Sequence, residues 1–520
     1  MNQDRDGETI SKKPHEHQEH YYKEGWTFYL ILATITVTLG SSLPMGYNIS
    51  VINTPGEVIK KFCNESFISR YDVHLDQQWL NVLWSFVVCI FVIGGCAGSI
   101  IGSRIANSLG RKMATLVTNF LLVGGGVLFL FCKRANSVEM LILGRLLVGL
   151  AGGLSTTIVP MYISELAPAK LSGLLGIYCV MNVGAGVLLG QIMGLDLLLG
   201  RPEDWPYLLS AYALLVLFTI PVLFLIPESP KYLFVIKRDE DRSLKELCQL
   251  RGTSKDMLIN DLDILREEVR CSERTTVIGD NSWSMKRVLR DKRLRLPLLL
   301  VCAIQAGQQG SGINAVFYYS QTIFRQMGLT EKDAQYATIG CGVVNSIAML
   351  LSLKLLSSFG RRPLLLASTA TVTILLILLV GSMSFSELFW WMPYLSMIMV
   401  LLYVLAFSLG LGPITYFIGS ELFEVGPRSA GMAWGSLCNW SGNFIAGMAL
   451  PSMRDSIGPY SFLVFAGVTA TLFVFQKVYL PETRGTSPTQ ISQLCSHGLQ
   501  SRPLEKTDPQ EFDHLSVSRP

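Results

Sequence analysis

Charge is scarce in this chain. Only 16% of its 520 residues are Asp, Glu, Lys or Arg, and 43 basic against 39 acidic residues leave a formal charge of +4. Acidic tracts and a broad basic surface are both missing, which argues against nucleic acid as a partner. Histidine is rarer still: of six, His15, His17 and His20 sit in a polar N-terminal stretch and read as a solvated run, not a metal site. No nucleophile can be paired with a base and no cofactor is implied, so an enzyme is the least favoured class. The eleven cysteines show neither zinc-ligand nor redox spacing; Cys89, Cys96, Cys302 and Cys341 lie inside apolar runs and read as small packing residues. Residues 1–25 lack the short apolar core and cleavage site of a secretory signal, which leaves targeting to the first apolar run.

What the chain has instead is apolar length. Half of its residues are hydrophobic and the mean hydropathy is +0.39, the composition of a membrane protein. Runs long enough to cross a hydrocarbon core of roughly 30 Å begin near Trp26, Trp79, Met113, Val138, Gly173, Pro206, Leu296, Gln335, Leu364, Pro393, Ser429 and Tyr460. An all-α membrane protein with twelve spans is therefore expected: a cytoplasmic tail (1–25), a six-helix bundle (26–230), an intracellular helical linker (231–295), a second six-helix bundle (296–486) and a cytoplasmic tail (487–520). Small residues between Val92 and Gly102 and between Gly149 and Gly153 allow helices to approach closely in lipid. In the linker, Leu258, Leu262, Leu265 and Val269 recur at helical spacing among charges of both signs, which predicts short surface helices.

The short loops give the orientation. Arg111 with Lys112, Lys170, the linker, Arg361 with Arg362, and Arg428 fall on one side and outnumber Lys133 and Arg134 on the other. By the positive-inside rule the first side is cytoplasmic and both termini are inside. The loop between the first two spans is then outside, where Asn64-Glu65-Ser66 forms a glycosylation sequon.

A pattern also occurs twice. Gly110-Arg111-Lys112, Glu165 and Pro227-Glu228-Ser229-Pro230 are matched by Gly360-Arg361-Arg362, Glu421 and Pro481-Glu482-Thr483, each offset by about 250 residues. Three signatures at one offset indicate duplicated six-helix bundles around a central site. Arginines and glutamates at the ends of neighbouring helices can pair when a cavity is closed and separate when it opens, so they form a latch. Positive-inside anchoring alone would explain the arginines but would not require the acidic partners.

Taken in order, these motifs, with Gly144-Arg145, Pro160-Met161-Tyr162, Gln308-Gln309, Asn314 and Pro481 to Gly485, resemble the animal facilitative hexose transporters, in the sugar-porter branch of the major facilitator superfamily. The resemblance runs from about Trp26 to Ile491. Gly46-Tyr47-Asn48, Val51-Ile52-Asn53 and Trp205-Pro206 look most like the branch that contains fructose carriers and a urate carrier. It implies a monomeric, alternating-access uniporter of fructose or glucose in the plasma membrane, without cofactor or metal, whose partners are the sugar and the lipid bilayer. Carried over by position, Gln308, Gln309, Asn314, Asn345, Tyr416, Asn439 and Trp440, with Asn443 beside them, would bind substrate. Amides offer both donors and acceptors, which suits a neutral polyol. Arg111, Arg145, Glu165, Glu228, Arg361, Arg362, Glu421, Arg428 and Glu482 would gate. Tyr318 and Tyr319 would close the outer side, and a break from Gly410 to Pro413 would let the tenth span bend.

The departures from that family are specific. Val180 stands where a fifth-span Gln is usual, with Asn182 a possible substitute; Tyr416, Thr415 and Ser408 replace a Trp, a Pro and an acidic residue of the tenth span. Gly310 replaces a Leu, while Ser172 and Ser357 replace members of the latch. The missing amide at Val180 keeps a urate carrier open as a second reading, and a sugar sensor is a third. The span from Trp26 to Tyr47 contains no Asp, Glu or His, so the carboxylate that a proton-coupled carrier needs there is lacking.

Overall fold

The computed structural model describes residues 25–495 apart from 75, 196, 259–260, 264, 267–268, 270–283, 387, 424, 485, 487–489 and 492–493. The two expected tails, with His15, His17 and His20, fall almost wholly outside the described residues. Among the described residues every element is helical. The first bundle comprises α1 (Phe28–Ser50), α2 (Gly56–Tyr71), α3 (Gln77–Leu109), α4 (Arg111–Cys132), α5 (Val138–Leu166), α6 (Ala169–Met193) and α7 (Trp205–Leu225). The linker carries α8 (Glu240–Arg251) and α9 (Met285–Arg290). The second bundle comprises α10 (Arg295–Gly310), α11 (Ile313–Gln326), α12 (Glu331–Ser358), α13 (Arg361–Ser384), α14 (Met392–Leu409), α15 (Leu411–Leu422), α16 (Val425–Ile457) and α17 (Ser461–Tyr479).

Nine stretches among the described residues are long and apolar enough to cross a membrane, and the last covers both α16 and α17. The short α6 and the broken pair α10–α11 complete the twelve crossings expected from hydropathy. Each crossing begins within four residues of its expected start. Several begin up to a turn early, because a polar or capped first turn precedes the apolar run; Thr330 accepts the backbone N–H of Asp333 at the start of α12.

Two expectations need correction. The loop assigned between the first two spans is mostly the sixteen-residue helix α2, whose Ile59, Cys63 and Ser66 are buried against the bundle. The seventh span is not continuous: Gly312 adopts a left-handed φ of +83° and separates α10 from α11, a conformation that a side chain would strain. The tenth span breaks at Gly410 as expected, between α14 and α15.

Close approach explains the small residues. A Cβ on Gly149 would fall 2.0 Å from the Phe91 carbonyl oxygen, and one on Gly153 the same distance from that of Gly95, so α3 and α5 touch backbone to backbone. In the linker, Leu258 and Leu265 join Phe234 and Leu247 in a small core, with Leu262 and Val269 packed against it. The linker lies at one end of the molecule, the linker face, and the opposite end is the far face. α8 is tied to the first bundle, where Thr27 Oγ1 donates to the Leu250 carbonyl. α9 is tied to the second, through Trp434 Nε1 and the Met285 carbonyl.

The two bundles meet in the far half. Asn53 Nδ2 donates to Ser320 Oγ at 2.6 Å, Asn81 Nδ2 donates to Asp455 at 2.8 Å, and Gln191 on α6 packs where a side chain on Gly342 of α12 would stand.

Candidate functional site

The amides from the broken crossing form one connected chain. Asn314 Nδ2 donates to Gln309 Oε1 at 2.8 Å, and Gln309 Nε2 donates to Asn439 Oδ1 at 3.2 Å. Asn439 Nδ2 donates to Gln308 Oε1 at 2.7 Å, and Gln308 Nε2 ends the chain on the Gly412 carbonyl at 2.9 Å. The break at Gly312 turns Asn314 back toward Gln309, and the Gly412 carbonyl lies in the first turn of α15, just after the break at Gly410. The polar groups thus gather beside irregular backbone in two crossings. Gln308, Gln309 and Asn439 are buried and Asn314 is half-buried. No ionised side chain takes part in these bonds. Such a chain can exchange its internal hydrogen bonds for those of a neutral ligand that offers both donors and acceptors.

The other expected ligands lie around this chain. Buried Asn345 on α12 accepts from Ser408 Oγ at 2.7 Å, so the residue that replaces an acidic one holds an amide in place. Asn443 accepts from the Tyr318 hydroxyl at 3.3 Å. Tyr416 on α15 is 49% exposed. Trp440 faces the other bundle: its indole N–H donates to Ser99 Oγ of α3 at 2.8 Å, and its ring covers Gly95, where a Cβ would come within 2.5 Å of it. Tyr319 donates to the Gly447 carbonyl, so Tyr318 and Tyr319 both tie α11 to α16 in the far half.

At the linker face the repeated motifs form two matching clusters. Arg111 makes a two-pronged pair with Glu165, both bonds 2.8 Å, and Arg361 Nε reaches Glu421 at 3.2 Å. Ser229 in the first cluster and Thr483 in the second donate to those same glutamates. Glu228 and Glu482 do something else. Glu228 accepts the backbone N–H groups of Arg111 and Lys112 at 3.0 and 3.1 Å, and Glu482 accepts those of Arg361 and Arg362 at 2.9 and 3.2 Å. Both carboxylates therefore cap helix N-termini, where a negative charge also meets the favourable end of the dipole. The two glycines make room for them, since a Cβ on Gly110 or Gly360 would fall 2.5 or 2.2 Å from a carboxylate oxygen. Burial raises the Glu228 carboxyl above its ordinary range, against the pull of the backbone donors and of Arg111.

The remaining gating candidates lie elsewhere. Arg145 is fully buried in the far part of α5 and donates to the backbone carbonyls of Asn48, Val87 and Val88, away from both linker-face clusters. Arg428 donates to the Phe423 carbonyl, and Arg362 donates to the Lys477 carbonyl. The side chains of Ser172 and Ser357 lie outside the described residues. Asn182, the possible substitute for the amide missing at Val180, donates to the Tyr178 carbonyl of its own helix at 2.9 Å. Asn64 is half-buried on α2, and Ser66 of the same sequon donates to the Asn136 carbonyl.

Sequence reasoning missed Ser99, Gly95 and Gln305. Gln305 Nε2 donates to the Thr415 carbonyl at 3.1 Å, while its side-chain Oε1 accepts nothing among the described residues. One signal was available for Gln305, which lies one turn before Gln308 on the same helix; none pointed to Ser99, 341 residues from its partner.

A family model described as sugar (and other) transporter matches residues 33–494. The facilitated glucose transporter member 1 of Gallus gallus is 38% identical over 94% of this chain and 97% of its own length. Member 4 of Homo sapiens is 40% identical over 89% and 90%, and member 5 of Equus caballus 34% identical over 92% and 94%. Among solved structures, a partially occluded, inward-open form of the xylose transporter XylE from E. coli superposes with a TM-score of 0.71 at 22% identity, covering 89% of this chain and 100% of that one, which supports the fold. With twelve crossings in two bundles, duplicated linker-face clusters and these relatives across nearly its full length, the chain belongs to the sugar transporter family, among the facilitated glucose transporters of solute carrier family 2.

Proposed function

We propose that this chain carries hexoses, fructose or glucose, down their concentration gradient by alternating access. The observation that carries this reading is the amide chain Asn314–Gln309–Asn439–Gln308. It is buried at two backbone breaks, and its bonds involve amides and a carbonyl only, which favours a neutral polyol over an anion. The relatives named as facilitated glucose transporters support the same substrate class. The bundles are joined in the far half by Asn53 with Ser320 and Asn81 with Asp455, and nearer the linker face by Trp440 with Ser99. Each chain holds a whole site, consistent with a monomeric transport unit.

Uniport is favoured because α1 has no acidic or histidine side chain between Trp26 and Tyr47. The basic residues at the linker face favour its being cytoplasmic, with the far face and α2 outside, in a plasma-membrane carrier. Purified protein in liposomes, given labelled fructose, glucose and urate with and without a proton gradient, tests all of this. Uptake of a hexose to equilibrium without accumulation is the expected result. Uptake of urate alone, or of none of the three, removes the hexose reading, and gradient-driven accumulation removes the uniporter.

A further inference from the structure

The seam where α6 of the first bundle meets α12 of the second holds an amide that no bond accounts for. Gln191 on α6 is 2% exposed, and neither its Oε1 nor its Nε2 has a hydrogen-bond partner among the described residues. Glycines face amides across this seam. A Cβ on Gly342 of α12 would fall 2.1 Å from Gln191 Oε1 and 3.0 Å from Leu188 Cδ1, and one on Gly184 of α6 would fall 3.5 Å from Asn345 Nδ2. Each helix thus offers a glycine to the other's amide, and Asn345 lies one turn beyond Gly342. Asn345 is in turn held at the break of the tenth crossing. Its Oδ1 accepts from Ser408 Oγ at 2.7 Å just before Gly410, while Gln308 Nε2 donates to the Gly412 carbonyl just after it. The break, Asn345 and the glycine-lined seam therefore connect the amide chain to Gln191. On α6 itself, Val180, Gly184, Leu188 and Gln191 share one face. The fifth crossing lacks an amide at Val180 but carries one three turns further along that face.

We propose that Gln191 is the specificity-determining contact of the first bundle, taking a hydroxyl of the hexose in the α6–α12 seam beside Asn345. The inference deepens the transport reading above and rests on it for its ligand. A buried amide without a partner costs free energy, and a hydroxyl, donor and acceptor at once, satisfies either of its ends. The amides of the chain exchange internal bonds for those of the sugar. Gln191 has none to give up, so its bond to a hydroxyl is gained outright. A sugar that lacks the hydroxyl leaves the amide unpaired, which is how a site built to hydrogen-bond a hydroxyl rejects an analogue without it.

The test measures equilibrium binding of D-glucose, D-fructose and their singly deoxygenated analogues to purified full-length protein. Gln191→Met keeps the length of the side chain and removes the amide. Native protein should bind one analogue roughly ten-fold more weakly than its parent sugar. In Gln191→Met that penalty should fall below about two-fold, while penalties at the other hydroxyls persist. Gly342→Ala, whose Cβ displaces the Gln191 amide, should erase the same penalty with Gln191 retained. The ligand-free melting temperature of Gln191→Met should equal or exceed that of native protein, because a buried polar group without a partner is removed. Penalties that match hydroxyl by hydroxyl between native protein and Gln191→Met overturn the proposal and leave the transport reading standing. So does an equal weakening for the parent sugar and every analogue, the mark of a shifted conformational balance and not of a lost contact. Native protein that binds neither sugar removes both.

Discussion

Glu482 holds Arg361 by its backbone, not by its guanidinium. The carboxylate accepts the Arg361 N–H at 2.9 Å, while the Arg361 side chain turns to Glu421. Glu228 and Arg111 repeat the arrangement in the first bundle. Cap and latch are therefore separate functions of adjacent motifs and separable by mutation. Glu482→Ala should cost about 1 kcal/mol, the value of a helix cap, with little change in transport per folded molecule. Glu421→Ala should alter the ratio of influx to efflux rates instead. Thermal unfolding in detergent and paired flux measurements distinguish the two, and equal effects on both readouts from both variants would contradict the separation.

Glu228 gives this a pH dependence. Burial raises its carboxyl in the folded state relative to an exposed one. A raised acid favours the protonated folded form, so its contribution to stability is fully present below the unfolded value and lost as pH rises through the folded one. Glu228→Gln keeps an oxygen acceptor for the Arg111 N–H and avoids ionisation. The melting temperature of native protein relative to that of Glu228→Gln should therefore improve as pH is lowered from 7 toward the carboxylate range. A difference that stays constant with pH argues against a buried, raised Glu228.

The amide chain separates binding residues from bystanders. Gln308→Ala removes the link between Asn439 and the Gly412 carbonyl and leaves buried groups without partners, at about 1–3 kcal/mol. Hexose uptake should fall roughly ten- to hundred-fold. Asn182→Ala should change it less than about two-fold, a difference worth under about 0.5 kcal/mol, because that amide is spent on its own helix. Comparable losses from the two variants would mean that Asn182 takes part in recognition after all.

Trp440 joins the bundles through Ser99. Ser99→Ala removes one hydrogen bond between the bundles, about 1 kcal/mol, which should shift the balance roughly five-fold away from the state described here. Gly95→Ala should go further in the same direction, since a Cβ there meets the indole ring. Spin labels at positions 61 and 456 report the separation. An unchanged distance distribution in both variants would leave Trp440 as a packing residue.

The sequon tests the orientation. With the far face outside, Asn64 receives a glycan, and endoglycosidase should increase mobility for native protein but not for Asn64→Gln or Ser66→Ala. Ser66 is buried and bonded to Asn136, so Ser66→Ala should also cost about 1 kcal/mol. No mobility shift in the native protein would count against either the glycan or the outside placement.

Hydropathy and the doubled motifs determined the crossings, their starts and the two-bundle plan, because the low dielectric of a membrane forces long apolar helices and duplication leaves matching signatures. The resemblance led to Gln308, Gln309, Asn314 and Asn439 as a group. Tertiary structure decided what each residue does. It made caps of Glu228 and Glu482, placed Arg145 far from the latch, turned Trp440 onto Ser99, and spent Asn182 on its own helix. Each of these depends on which way a side chain points once helices pack against one another. Spacing along a chain cannot encode a contact between residues 341 apart, and a left-handed turn at one glycine, Gly312, sets the direction of the amide that completes the site.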